Sequence, residues 1–154
     1  MWVRVLLTML ALALSSPVWA DFTGVVVGVA DGDTITVLRD NEQVKVRLAE
    51  IDAPEKAQAF GSKSKQALSA LVFNKQVFVV DQGKDKYKRT IGRVYQGDID
   101  VSAKQVRMGM AWVYRKYSKD KRLLSLENQA REQRLGLWID AEPIPPWAWR
   151  HIKY

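Results

Sequence analysis

Along the chain the spacing of apolar and polar positions changes several times, and each change marks an element. Phe22 to Val29 and Thr34 to Leu38 alternate or run apolar with β-branched residues, and Asp31-Gly32 between them is a hairpin signal. From Gln43 to Leu48 the alternation is strict. Val44, Val46 and Leu48 face one side and Lys45 and Arg47 the other, so Arg47 is expected to leave the core at a strand end. Ile51-Asp52-Ala53-Pro54-Glu55 then breaks the strand, because proline cannot donate to a ladder. The period lengthens in Ser64 to Phe73, where Leu68, Leu71 and Val72 fall at helical spacing. Gln76 to Val80 and Ile91 to Tyr95 read as a fourth and a fifth strand. Ser102 with Gln105 has the form of a capping box opening a helix that Gly109 can close, and Leu123, Leu126 and Ala130 make one stripe over Lys121 to Leu135.

Three strands joined by short turns do not suit a parallel βαβ sheet. The pattern predicts an α+β protein, a five-stranded β-barrel of the OB type with about three α-helices, a scaffold that commonly binds nucleic acid on one face. Pro143 to Arg150, with its prolines and tryptophans, reads as part of a Pro/Trp-rich tail over residues 141–154 that packs on the surface.

Composition narrows the chemistry. The 154 residues are 47% hydrophobic and 27% charged, values that suit one globular domain. The 24 Lys and Arg against 17 Asp and Glu leave a formal charge of +7, a field that attracts polyanions. With no cysteine, disulfides and thiolate metal sites are excluded. The single histidine, His151, sits near the C-terminus in an aromatic segment, which argues against histidine-based hydrolysis. Residues 1–20 have the form of a secretory leader: Arg4, an apolar Val5 to Leu14, then Val18-Trp19-Ala20 before a cleavage point. That apolar run is shorter than the ~20 residues of a membrane span. The expectation is an exported chain beginning at Asp21, periplasmic or secreted and free of the membrane, with its domain over 21–140.

Three clusters carry candidate chemistry. Asp31-Gly32-Asp33-Thr34 forms the first turn. Asp52 and Glu55 flank Pro54 just after the strand bearing Arg47. Asp85-Lys86-Tyr87-Lys88-Arg89 places cations and an aromatic ring in another loop. In order and interval these clusters resemble the staphylococcal nuclease (thermonuclease) family, and the resemblance continues through Gly109-Met110-Ala111-Trp112 and Gly136-Leu137-Trp138. It implies an OB-fold enzyme that cleaves DNA and RNA with one calcium ion and releases products ending in 3′-phosphates.

By that resemblance Asp33, Asp52 and the backbone carbonyl of Ala53 are metal ligands. Arg47 and Arg89 grip phosphate and Glu55 is the general base. Lys86 and Tyr87 line the nucleotide pocket, with Tyr114 and Tyr117 near the place of a further pocket tyrosine. The chemistry is coherent on its own terms. Charge that builds on the phosphate oxygens needs neutralising, and an arginine fork does so in a way a lysine point charge cannot. All-oxygen ligands point to calcium or magnesium in place of zinc. The expected substrate is single-stranded DNA or RNA and the expected state a monomer. The rival is an inactive OB module that only binds nucleic acid, in which the carboxylate and arginine set is typically incomplete. Lys88 stands where the family usually has glycine, and the expectation is that it keeps an ordinary, negative φ.

Overall fold

The computed structural model of the chain describes residues 20–152. Apart from Ala20, the expected leader lies outside the described residues. β1 (Phe22–Asp31) and β2 (Thr34–Arg39) form the first hairpin, with Asp31 opposite Thr34, so that Gly32 and Asp33 alone make the turn. β3 (Glu42–Leu48) runs antiparallel to β2 and sets Arg47 across from Thr34. After the short β4 (Ile51–Asp52) comes α1 (Gly61–Val72). β5 (Gln76–Lys84) pairs antiparallel with the start of β1, and β6 (Thr90–Gln96) pairs antiparallel with β5. β6 then lies parallel to β3, Val46 beside Thr90 and Leu48 beside Gly92. That pairing closes β1, β2, β3, β5 and β6 into the expected barrel.

β7 (Ile99–Asp100) leads into α2 (Val101–Arg107), and β8 (Trp112–Val113) pairs back onto β4. α3 (Lys121–Glu132), a 3-10 turn at Gly136–Ile139 and α4 (Pro146–Ile152) follow. The barrel strands contribute Val26, Ile35, Val37, Val46, Val77, Val79 and Val94 to one buried core, which Leu68 and Val72 of α1 and Val106 and Leu123 of α2 and α3 extend. Burying each such side chain contributes about 1.5–3 kcal/mol, so this is what fixes the frame. A smaller cluster of Trp112, Ala130, Leu137 and Trp138 packs with Phe60 and Trp147. No described helix is long and apolar enough to cross a membrane.

Two expectations need correction. The capping box is not formed. Asp100 caps α2, its side chain accepting from Ala103 N at 3.0 Å. Ser102 and Gln105 instead face the core: Ser102 Oγ donates to the Ala49 carbonyl at 3.0 Å, and Gln105 Nε2 donates to the carbonyls of Gly32 at 2.8 Å and Ser64 at 3.2 Å. The hairpin of β6 and β7 delivers the chain directly into the helix, so the residue ending β7 has the extended backbone a cap requires. The tail, secondly, contains a helix. α4 begins on Pro146, a position where the missing N–H would be unpaired in any case.

Candidate active site

The β1–β2 turn carries the first carboxylate, and its glycine is there for space. Gly32 is absent from the positive-φ residues, but a Cβ on it would overlap Ser64 Oγ and lie 2.8 Å from Ala53 Cβ. α1 and the exit of β4 therefore press directly on the turn. Asp33 leaves it almost buried, at 5% exposure. Its Oδ2 accepts from Ala53 N at 2.7 Å and lies 3.2 Å from Arg47 Nη2, while Oδ1 accepts from Thr34 Oγ1 at 3.1 Å.

Arg47 points away from the barrel core, as its register requires, and folds over the strand end. Its Nη1 donates to the carbonyls of Leu48 at 2.8 Å and Ile51 at 2.9 Å, and its Nη2 to Asp52 Oδ1 at 3.1 Å. Asp52 is buried on β4, held in place by the pairing of that strand with β8. Glu55, beyond Pro54, is half-buried, and its amide donates to Gln58 Oε1 at 3.0 Å.

One group in this cluster has no counterpart in the sequence reading. Arg150, on α4, donates from Nη2 to Asp52 Oδ2 at 2.8 Å and from Nη1 to Asp52 Oδ1 at 3.2 Å. The same Nη1 donates to Glu55 Oε1 at 2.6 Å. No local pattern announces this, because the partners are far apart in sequence and the Pro/Trp-rich context suggests surface packing. The only available sign is a cation among aromatic residues.

The structure thus gathers Asp33, Arg47, Asp52, Ala53 and Glu55 at one end of β3, and leaves Lys86, Tyr87 and Arg89 on the loop between β5 and β6. Parallel pairing of Thr90 with Val46 brings the start of β6 beside the strand of Arg47. The Arg89 side chain is engaged locally, its Nε donating to Asp85 Oδ2 at 2.7 Å. Asp85 Oδ1 accepts the amides of Tyr87 at 2.9 Å and Arg89 at 3.0 Å, and the Tyr87 ring is exposed. Lys88 corrects another expectation: its φ is +64°. The amide of Lys88 donates to the Asp85 carbonyl at 2.9 Å and that of Asp85 to the Arg89 carbonyl at 3.0 Å, a closure that forces the left-handed residue between them. Tyr114 and Tyr117 meet edge to face at 4.8 Å, and Tyr114 also stacks on Trp147 of α4, with ring centroids 5.3 Å apart and planes 4° from parallel.

The carboxylates strain against one another. Burial, and next the charge of Asp33, push the Asp31 carboxyl up to about 6. Burial also raises Asp52 and outweighs the hydrogen bond from Arg150 that pulls the other way, while Asp33 adds to the rise. Burial opposes ionisation of Asp85 as well, but the bonds from Arg89 hold that carboxyl below its usual range. Desolvation would lower Arg150, and its bonds to Asp52 and Glu55 more than reverse this.

Such a set fits a hard divalent cation. The donors are all oxygen, and their mutual repulsion with partial burial is what a cation relieves. Among the described residues no three His, Cys, Asp or Glu side chains form a ready cage. A cation held by Asp33, Asp52 and the Ala53 carbonyl would therefore complete its shell from water and substrate.

Residues 45–140 match the family model described as staphylococcal nuclease homologue. The chain is 45% identical over 158 residues to the micrococcal nuclease of Shigella flexneri, spanning 96% of this chain and 91% of that one. It is 45% identical over 150 residues to the protein ParB of Escherichia coli, across 90% and 85% of the two chains. An uncharacterized endonuclease of Haemophilus influenzae is 49% identical over 126 residues, across 81% and 71%.

Proposed function

Because the chain belongs to the staphylococcal nuclease family and is a nuclease of the thermonuclease type, we propose that it is an exported, calcium-dependent enzyme hydrolysing DNA and RNA to products ending in 3′-phosphate. The observation that carries this reading is the convergence of Asp33, Arg47, Asp52 and Glu55 at one strand end. Calcium, when held by Asp33, Asp52 and the Ala53 carbonyl, supplies Lewis-acid polarisation of the phosphate.

The protein residues do the rest. The Arg47 guanidinium is held at the strand end by two backbone carbonyls on Nη1 and faces Asp33 and Asp52 through Nη2, and it meets phosphate by exchanging those carboxylates for substrate. Arg89 reaches the same phosphate from the loop that leads into the neighbouring strand β6, after exchanging Asp85 for substrate. Glu55 takes a proton from the attacking water as the new oxygen–phosphorus bond forms. The bond to the 5′ oxygen breaks, the phosphate stays on the 3′ side, and the 5′ oxygen takes a proton from solvent. Lys86 and Tyr87 flank the nucleotide, and Tyr114 and Tyr117 wall the pocket.

The protein acts as a monomer on single strands, outside the cytoplasm. The test is incubation of the chain from Asp21 with single-stranded DNA and with RNA, in calcium and in a chelator. Cleavage in calcium, with 3′-phosphate ends and none in chelator, is the expected result. Full activity in chelator would remove calcium from the account. N-terminal sequencing of material exported by an expressing bacterium should begin at Asp21, and intact Met1 in a membrane fraction would contradict export.

A further inference from the structure

Among the described residues, Arg150 is the one side chain that hydrogen-bonds both Asp52 and Glu55. Its two Nη groups take both oxygens of Asp52 and one of Glu55, so a single planar fork sets the distance and angle between two carboxylates on different segments. Glu55 needs such a restraint. It follows a proline on a loop, its side chain is half-exposed, and its Oε2 has no hydrogen-bond partner among the described residues.

Arg150 itself is held from both sides. Gln58 accepts the Glu55 amide through Oε1 and donates through Nε2 to the Ile144 carbonyl at 2.7 Å, so one glutamine ties the Glu55 loop to the segment entering α4. One turn along, Trp147 stacks on Tyr114 and meets Trp112 edge-on at 5.6 Å. A helix fixed by these contacts can present a guanidinium at a constant position.

We propose that Arg150 is a positioning residue for phosphodiester hydrolysis, fixing the Glu55 carboxylate against Asp52 so that Glu55 Oε2 is left to face the attacking water. α4 is then a wall of the active site and not an appended tail. Lysine cannot substitute, because one ammonium on a flexible stem does not bridge three oxygens in a plane. Arg150 differs from Arg89, which spends Nε on Asp85, in that both its Nη groups face carboxylates, and it differs from Arg47 in that it joins Glu55 to Asp52. The inference rests on the roles proposed above for Asp52 and Glu55.

The experiment compares Arg150→Ala, Arg150→Lys and Glu55→Gln with the unaltered chain in three measurements. These are turnover of single-stranded DNA at saturating calcium, affinity for a fluorescent single strand in chelator, and the thermal melt. Both Arg150 variants should lose about 10- to 100-fold in kcat, the scale on which slight misplacement of a reacting group acts. Strand affinity in chelator should stay within about threefold, since Arg150 does not touch the substrate. Free guanidinium at millimolar concentration should restore part of the Arg150→Ala turnover, which a loss of fold would not permit. Undiminished turnover of Arg150→Ala would overturn the proposal, and increased turnover would make α4 a plug on the site. A tenfold loss of strand affinity would overturn it too, by making Arg150 a phosphate grip. If Glu55→Gln is impaired and Arg150→Ala is not, the inference alone fails. If Glu55→Gln is fully active, the reading beneath it fails.

Discussion

Lys88 is where a single backbone angle meets function. At φ +64° a lysine carries a steric cost of about 1–2 kcal/mol, while glycine in its place costs roughly 0.5–1 kcal/mol in extra chain entropy. Lys88→Gly should therefore stabilise the domain by up to about 1 kcal/mol, seen as a melt that rises by a few degrees. A melt that falls would show the loop relaxing elsewhere. Arg89→Lys keeps the charge beside it but loses the fork, and should cut turnover with little change in melt. Asp31 gives a second test. Its folded carboxyl, at about 6, lies above the unfolded value near 3.8, so between those values the folded state holds the extra proton. The stability this group contributes is complete below pH 4 and is lost as pH rises through about 6. Asp31→Asn removes this group's share of the dependence and leaves the share that comes from the raised Asp52. In chelator its melt should gain on the unaltered protein between pH 4 and 7 by the equivalent of about 1–2 kcal/mol, the shift being discounted for partial exposure. Parallel melts across that range would show Asp31 to be ionised normally.

Elements decide which residues meet. The grouping of Asp33, Arg47, Asp52 and Glu55 was legible in the sequence because the meander of β1, β2 and β3 and its exit carry them all, and strand register fixes Arg47 opposite Thr34 whatever the rest of the chain does. Alternation at Val44, Val46 and Leu48 set Arg47 at the strand end beside Asp52 and Glu55, while the resemblance to the family supplied the expectation for Asp33 and for the role of each. Arg150 was not legible, since its position depends on how α4 docks on Tyr114 and Gln58, contacts that no local period encodes. Ser102 and Gln105 misled because a capping motif and a core-facing polar pair have the same spacing. Their true role predicts a different outcome on mutation. Gln105→Ala should cost about 1–3 kcal/mol, as the buried Gly32 carbonyl loses its side-chain donor. It should also lower turnover, because that carbonyl belongs to the turn presenting Asp33. A melt and a turnover rate both unchanged would show that Gln105 does not hold the turn.

At the scale of the whole molecule, the barrel supplies a rigid rim, and the net charge of +7 brings a polyanion to it. Binding of single strands in chelator should weaken with salt at a log-log slope of about −0.7 for each phosphate neutralised. A flat dependence would mean that the basic side chains do not carry the interaction. The central claim is that the carboxylates and arginines at the end of β3 perform the hydrolysis, with Glu55 acting on the water. The most direct measurement is steady-state cleavage of single-stranded DNA by Glu55→Gln in calcium, beside its thermal melt and its strand affinity. The account predicts a turnover lowered by about 10²- to 10⁴-fold, the usual contribution of a general base, with melt and affinity nearly unchanged. Turnover equal to that of the unaltered protein would contradict it.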